Sequence, residues 1–153
     1  MYHMVNRWVR RQRIEIEVHT PADPVTVYAL LRDGASWPSW SPIESFALER
    51  PGVDEPEGIG AIRVFRAGRV KGRDLIAELV PGRRFGYRHF SGLPVRDYRG
   101  EIDLEPDTGG TRICWRTSFL PRWPATGWLL RLGIHRFISQ CAQGLAAHAA
   151  RAS

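Results

Sequence analysis

Turn-forming residues interrupt the chain at short intervals between Ile43 and Phe119, and this punctuation restricts the fold more than any other feature. Connections this short make successive strands antiparallel neighbours, as in a meander. The predicted strands cover residues 43–50, 59–66, 69–80, 83–91, 95–105 and 111–119. The turns between them lie at Pro51-Gly52, Gly68, Pro81-Gly82, Gly92 with Pro94, and Asp107 to Gly110.

Further elements flank this meander on both sides. Residues 13–19, RIEIEVH, alternate apolar and polar side chains, which predicts a half-buried strand. Next, Asp23 can cap a short helix that starts at Pro24 and closes at Gly34, so one or two short helices are expected here. Residues 124–152 carry apolar side chains at helical spacing, which predicts one long amphipathic helix.

This order of elements predicts an α+β fold with a curved antiparallel sheet of about seven strands. A sheet with one face in water must bury the other face, and the long C-terminal helix is the element available to cover it. A strongly curved sheet that wraps around one helix tends to leave a cavity between them. We expect residues 1–12 to form a basic N-terminal tail and residues 13–153 to form a single domain.

The net charge of +6 raises the question of nucleic-acid binding. The basic residues are nearly all arginines, with Lys71 the single lysine, and they are interleaved with acids except near the N-terminus. No nucleic acid is therefore expected as a partner. No run approaches the roughly 18 apolar residues of a membrane span, and no apolar stretch follows the basic N-terminus as in a secretory signal. The predicted location is the cytoplasm, with Cys114 and Cys141 as reduced, buried thiols.

Seven segments carry local patterns that belong together. They are residues 22–33 (ADPVTVYALLRD), 36–42 (SWPSWSP), 58–68 (GIGAIRVFRAG), 79–88 (LVPGRRFGYR), 93–104 (LPVRDYRGEIDL), 109–119 (GGTRICWRTSF) and the terminal helix. In this order they resemble the START-like, birch-pollen-allergen-like superfamily, often abbreviated SRPBCC, and within it the polyketide cyclase/dehydrase-type proteins. The resemblance covers residues 13–150 and implies the helix-grip fold, with a deep apolar cavity under the C-terminal helix. Members of the superfamily include lipid carriers, hormone-binding proteins, cyclases and co-chaperone-like modules.

Alternation along the strands indicates which side chains face such a cavity. The apolar side of residues 111–119 is placed inward, whereas Arg112 and Arg116 face water and can pair with acids of the neighbouring strand. Residues 59–66 do not show which side faces inward. An inward arginine needs an anionic partner or a place at the cavity mouth, and the mouth is expected for Arg96. The predicted ligand-binding residues are Trp37, Arg63, Phe65, Tyr87, His89, Arg96, Tyr98, Trp115, Thr117, Phe119, Ile134 and Ile138, although each aromatic fits plain core as well.

Three functions fit these residues. The first is binding or transport of a hydrophobic small molecule such as a lipid or polyketide. The second is a polyketide cyclase/dehydratase, for which His89, Tyr98 and Arg96 are the catalytic candidates. The third is an interaction module with a filled core and no ligand. No metal or other cofactor is expected, since the histidines lack metal-ligand spacing, and the protein should be a monomer or homodimer.

Residues 33–42, DGASWPSWSP, place two tryptophans between prolines. This segment is too broken for a long helix, because Pro38 and Pro42 stiffen it. It precedes the meander, where the sheet should close around the terminal helix. We expect Trp40 to seal the sheet against the helix and Trp37 to border the entrance of the cavity.

Overall fold

The computed structural model describes residues 9–152 of the chain. The predicted tail over residues 1–12 lies largely outside them, and Gln12 already begins the first strand. The described residues contain seven strands, three α-helices and one 3-10 turn. These elements are β1 (Gln12–Thr20), α1 (Pro24–Arg32), the 3-10 turn (Gly34–Ser36), α2 (Trp37–Trp40), β2 (Ser45–Arg50), β3 (Ile62–Ala67), β4 (Val70–Val80), β5 (Arg84–Ser91), β6 (Val95–Asp107), β7 (Gly110–Pro121) and α3 (Gly127–Ala152).

The seven strands form one sheet in the order β1-β7-β6-β5-β4-β3-β2. Every neighbouring pair is antiparallel, so the predicted meander and the α+β class are confirmed. Strand β7 lies between β1 and β6, and its Trp115 is opposite Ile16 on one side and Ile102 on the other. On the outer face, Arg116 contacts Asp103 and Arg112 contacts Glu105, which is the cross-strand pairing that the alternation predicts.

Strand β3 begins three residues later than predicted. The chain turns at residues 58–61, where the Ala61 N–H donates to the Gly58 carbonyl at 3.0 Å, and Gly60 has a φ of +87°. Both faces of β3 are buried from Ile62 to Phe65, so neither face of this stretch is exposed to solvent. This explains why the pattern of apolar residues leaves its inward face ambiguous.

Helix α1 starts as its sequence indicates, but it ends at Arg32, and Gly34 begins the 3-10 turn instead of closing the helix. The Asp23 carboxylate accepts a hydrogen bond from the Thr26 N–H at 2.8 Å, and Pro24 occupies the first turn. The hydrogen bonds from Thr26 hold the pKa of Asp23 below its ordinary value. The last carbonyl groups of the helix, up to Arg32, have no partner within the helix and can accept hydrogen bonds from other elements.

Helix α3 covers the inner face of the sheet with one side. Its buried residues are Gly127, Ile134, Ile138, Cys141, Ala142, Leu145, Ala146 and Ala149. The Thr20 hydroxyl donates to the Ala146 carbonyl at 2.8 Å and ties the end of β1 to this helix. At Gly144 the helix approaches the carbonyl group of Trp40 so closely that a Cβ atom would lie 1.7 Å from its oxygen. The backbone of Trp40 therefore packs directly against α3, so this contact joins α2 rather than the sheet to the terminal helix.

Gly133 is the opposite case within the same helix. No heavy atom lies within 4 Å of the position that a Cβ would take. Glycine inside a helix costs about 0.5–1 kcal/mol relative to alanine. We expect Gly133→Ala to raise the free energy of unfolding by about that amount and Tm by about 2 °C, measured by thermal circular dichroism. A lower Tm would show that this part of α3 has a neighbour that the structure lacks.

Candidate functional site

A cavity of about 380 Å³ lies between the inner face of the sheet and helix α3. Leu129 and Val70 line it and are nevertheless 61% and 38% exposed, so the mouth lies between the start of α3 and the β3–β4 turn. The walls are mostly aromatic and aliphatic. They consist of Trp37, Ile43, Arg63, Phe65, Ala67, Val70, Gly72, Asp74, Ile76, Phe85, Tyr87, His89, Leu93, Tyr98, Trp115, Leu129, Leu130, Gly133, Ile134, Phe137 and Ile138.

Trp37 connects the aromatic side chains of one wall. Its ring stacks on Phe65 with centroids 5.0 Å apart and meets Trp115 edge-on at 5.9 Å. The indole N–H donates to the Leu31 carbonyl at 3.2 Å, so the polar atom is satisfied within the protein. Trp37 therefore presents apolar surface to the cavity, while its neighbour Trp40 lies outside the lining.

Two tyrosines add polar groups to the cavity wall. The Trp115 indole N–H donates to the Tyr87 hydroxyl at 3.0 Å. The Tyr87 ring fits only because residue 100 is glycine, since a Cβ there would lie 2.2 Å from its Cζ. The Tyr98 ring stacks on Phe119 at 5.8 Å. Burial raises the pKa of both tyrosines, so both phenols are neutral at physiological pH.

Arg63 is almost fully buried, and its guanidinium has several partners in the protein. It donates to the Leu31 carbonyl at 2.9 Å and to the Arg32 carbonyl, and it lies 3.0 Å from the Glu57 carboxylate. The two carbonyls belong to the C-terminal end of α1, where a cation is favoured. Burial lowers the pKa of Arg63 to about 10, against the opposite effect of Glu57, and the group stays charged at neutral pH. These contacts indicate a structural role.

Asp74 and His89 form a pair on adjacent strands of the cavity wall. They lie directly opposite each other in β4 and β5, and the His89 Nδ1 is 2.7 Å from an Asp74 carboxylate oxygen. The side chains are 8% and 19% exposed for His89 and Asp74, respectively. The other ring nitrogen of His89, Nε2, is buried and has no hydrogen-bond partner among the described residues.

The structure brings most of the predicted ligand-binding residues together around the cavity. Trp37, Arg63, Phe65, Tyr87, His89, Tyr98, Trp115, Ile134 and Ile138 all line it. Thr117 and Phe119 face inward and are buried, but they belong to the core behind the cavity wall.

Arg96 does not lie in the cavity, and the prediction that its side chain is on the inner face is wrong. Its side chain is exposed, because regular alternation in β6 stops between Arg96 and Arg99, where the register with β7 shifts. Asp97 adopts a φ of +47° at this irregularity. An extra residue in one strand reverses the faces beyond it, so Arg96 points away from the side that Tyr98 occupies.

Asp74 is the polar cavity residue that sequence reasoning missed. A usable signal exists in β4, where Gly72, Asp74 and Ile76 alternate on one face and all three line the cavity. A carboxylate on an inward face needs a partner, and the register of β5 on β4, which only the folded structure gives, places His89 opposite it. The helix residues Leu129, Leu130, Gly133 and Phe137 were also missed as lining residues.

The two cysteines are free thiols without activation. Cys141 lies on the buried side of α3, and burial raises the pKa of its thiol. Cys114 is half-buried on the outer face, where burial and a hydrogen bond to Glu15 raise its pKa to about 11. Thiolates are the nucleophilic form of cysteine, so neither residue has the environment of a catalytic nucleophile.

Residues 9–152 contain neither a candidate metal site nor a candidate membrane-spanning helix. Within that range, the side chains of histidine, cysteine, aspartate and glutamate nowhere form a group of three or more that could hold a metal ion. No helix in that range is long and apolar enough to cross a membrane.

The family model for polyketide cyclase / dehydrase and lipid transport proteins matches residues 11–151. The chain belongs to this family. The resemblance that the sequence motifs carry is therefore confirmed, and no curated protein is a significant match.

Solved structures of similar proteins share the fold of this family member at low sequence identity. A START superfamily protein from Mycobacterium smegmatis has a TM-score of 0.77 at 13% identity, with 92% of this chain and 99% of that chain covered. The Zhui aromatase/cyclase from a Streptomyces species has a TM-score of 0.74 at 17% identity, with 93% and 95% covered. A protein from Chromobacterium violaceum has a TM-score of 0.66 at 24% identity, with 90% and 96% covered.

Proposed function

We propose that this protein binds a hydrophobic small molecule, such as a lipid or a polyketide, in the cavity between the sheet and α3. The observation that carries the proposal is the apolar cavity itself, whose volume of about 380 Å³ is in the usual range for small-molecule sites. An interaction module without a ligand would need no such space, and filling it with side chains would stabilise the core. Membership of a family described by polyketide cyclisation and lipid transport supports the same class of ligand.

The binding prediction can be tested with a neutral fluorescent probe, N-phenyl-1-naphthylamine. Ile138 lines the cavity and is almost fully buried, so Ile138→Trp fills part of the space. We expect the probe to bind the unaltered protein and Ile138→Trp to weaken this binding at least about tenfold, the equivalent of 1.4 kcal/mol.

Leu132→Trp is the matched control, since Leu132 lies on the same helix, is 59% exposed and is outside the lining. It should leave probe affinity unchanged. Absence of binding to the unaltered protein, or equal loss in both variants, would contradict a cavity site. Both variants need a thermal unfolding measurement first, because an overpacked core costs roughly 1–3 kcal/mol.

A second candidate is catalysis of polyketide cyclisation and dehydration. The observation that favours it is the presence of Asp74, Tyr87, His89 and Tyr98 on one cavity wall. Cyclisation is an aldol condensation, which needs a folded chain, a base to remove a proton and a donor at the developing oxyanion. The neutral tyrosines are suitable donors and His89 is a suitable base.

This activity can be measured with a synthetic poly-β-ketone whose cyclised, dehydrated product absorbs as an aromatic ring. We expect Tyr98→Phe to lower the cyclisation rate by roughly 10²-fold, since one oxyanion donor is lost. Affinity for N-phenyl-1-naphthylamine should persist, because the ring remains. If the unaltered protein leaves the cyclisation rate at its value in buffer, binding alone is the function.

A further inference from the structure

The hydrogen bond between Asp74 and His89 fixes the protonation of the imidazole. An ionised carboxylate can only accept hydrogen bonds, so the Nδ1 of His89, 2.7 Å from Asp74, must carry the proton. In the neutral ring, Nε2 then bears the lone pair and is a hydrogen-bond acceptor. The ladder between β4 and β5 holds these two side chains opposite each other.

The acceptor at Nε2 has no hydrogen-bond partner within residues 9–152. It is buried, the whole His89 side chain is 8% exposed, and the residue lines the cavity. A buried polar atom without a hydrogen bond is costly, by an amount similar to a lost hydrogen bond. A ligand in the cavity that offers a donor to Nε2 removes this cost.

The imidazole ring of His89 is packed closely on two of its sides. Residue 72 is glycine, and a Cβ there would lie 3.2 Å from the Cε1 of His89, so any larger residue would press on the imidazole. On another side the Tyr98 ring meets His89 edge-on at 5.4 Å. The rest of the lining is mostly apolar, so a donor group near Nε2 would be the main polar anchor of the ligand.

We propose that Asp74 and His89 select apolar ligands that carry an acidic hydroxyl, either a phenol or the enol of a 1,3-dicarbonyl. This inference rests on the proposed binding function. The hydroxyl donates to Nε2, and its proton can move to that nitrogen. The ligand then becomes a phenolate or enolate, and His89 becomes an imidazolium whose charge is balanced by the Asp74 carboxylate. Ligands that only accept hydrogen bonds leave Nε2 unsatisfied and bind less tightly.

A pair of ligands of nearly equal size tests this selection in the unaltered protein. Both 2-naphthol and 2-methoxynaphthalene are bicyclic, but only 2-naphthol can donate a hydrogen bond. Displacement of N-phenyl-1-naphthylamine measures both affinities. We expect 2-naphthol to bind about tenfold more tightly, as one hydrogen bond to a buried acceptor implies.

Matched substitutions locate the source of the preference. His89→Phe keeps a planar ring but removes the acceptor, so the tenfold preference should fall to about one while 2-methoxynaphthalene still binds. His135→Phe makes the same change on the exposed side of α3, outside the lining, and should keep the preference.

Asp74→Asn tests the positioning role through a spectroscopic signature. With 4-nitrophenol as the probe, the unaltered protein should increase the ionised absorption band of the bound phenol. Asp74→Asn removes the charge that balances the imidazolium, so this band should shrink even if the phenol still binds.

The outcomes separate the two proposals. If N-phenyl-1-naphthylamine does not bind the unaltered protein, cavity binding itself is refuted. If the probe binds but 2-naphthol does not displace it, or if both naphthalenes bind the unaltered protein with equal affinity, the cavity binds ligands but the selection by His89 is wrong. A preference that survives in a folded His89→Phe protein also overturns the inference, because the acceptor must then lie elsewhere.

Discussion

Gly144→Ala should destabilise the protein by about 3 kcal/mol, although it adds a single methyl group to a helix. The new Cβ would lie 1.7 Å from the carbonyl oxygen of Trp40, a backbone atom that cannot rotate away. Helix α3 or α2 must therefore shift, and the packing around Trp40 must open. We expect Tm to fall by roughly 10 °C in thermal circular dichroism, at a few degrees per kcal/mol for a chain of this size.

Gly133→Ala is the internal control for this result. It is the same substitution in the same helix, but the added methyl group meets open space. Intrinsic helix propensity favours alanine over glycine at both positions, so propensity alone predicts that each substitution stabilises the protein. Opposite signs at the two sites would assign the loss at Gly144 to its contact with Trp40. A small or absent loss for Gly144→Ala would show that α2 and α3 are not in direct backbone contact.

The inward face of a strand with its other face in water could be predicted from sequence. The inward face of β3, which is buried on both sides, could not. In β7, Arg112 and Arg116 face solvent between buried residues, so alternation gave both faces correctly. In β3, Ile62 and Val64 are buried as well as Arg63 and Phe65, and a strand buried on both sides carries no alternating signal. Chain order and turn chemistry were enough for the topology, because short connections leave few alternatives.

The candidate site depended on features that local patterns do not contain. Arg96 was misplaced because a single irregularity at Asp97 reverses the alternation of β6. The partner of His89 could not be identified without the register of β4 on β5, which shifts between Arg73 and Asp74. Long-range register is set by how the whole sheet packs, so pairs of this kind emerge only from the folded structure.

Arg63→Met should cost about 3–5 kcal/mol of unfolding free energy, the range for breaking a buried ion pair on one side. The substitution leaves the carbonyls of Leu31 and Arg32 without their guanidinium donor. It also leaves the Glu57 carboxylate without the cation 3.0 Å away. Arg63→Lys should recover little of the loss, because one ammonium group cannot reproduce the planar fork that spans these partners. Chemical denaturation of each variant measures these differences.

Replacing the Glu57 carboxylate, which Arg63→Met leaves unpaired, should restore part of that stability. Glu57 is 23% exposed and also accepts a hydrogen bond from the Gly34 N–H at 2.9 Å, which a glutamine oxygen can replace. We therefore expect Arg63→Met combined with Glu57→Gln to be more stable than Arg63→Met alone, with a coupling of 0.5–3 kcal/mol in the double-mutant cycle, roughly the range for contacting residues. Additive losses would mean that the pair does not interact. If the folded double variant still binds N-phenyl-1-naphthylamine with unchanged affinity, Arg63 stabilises the cavity wall and does not contact the ligand. Its guanidinium then acts only on its partners in the protein.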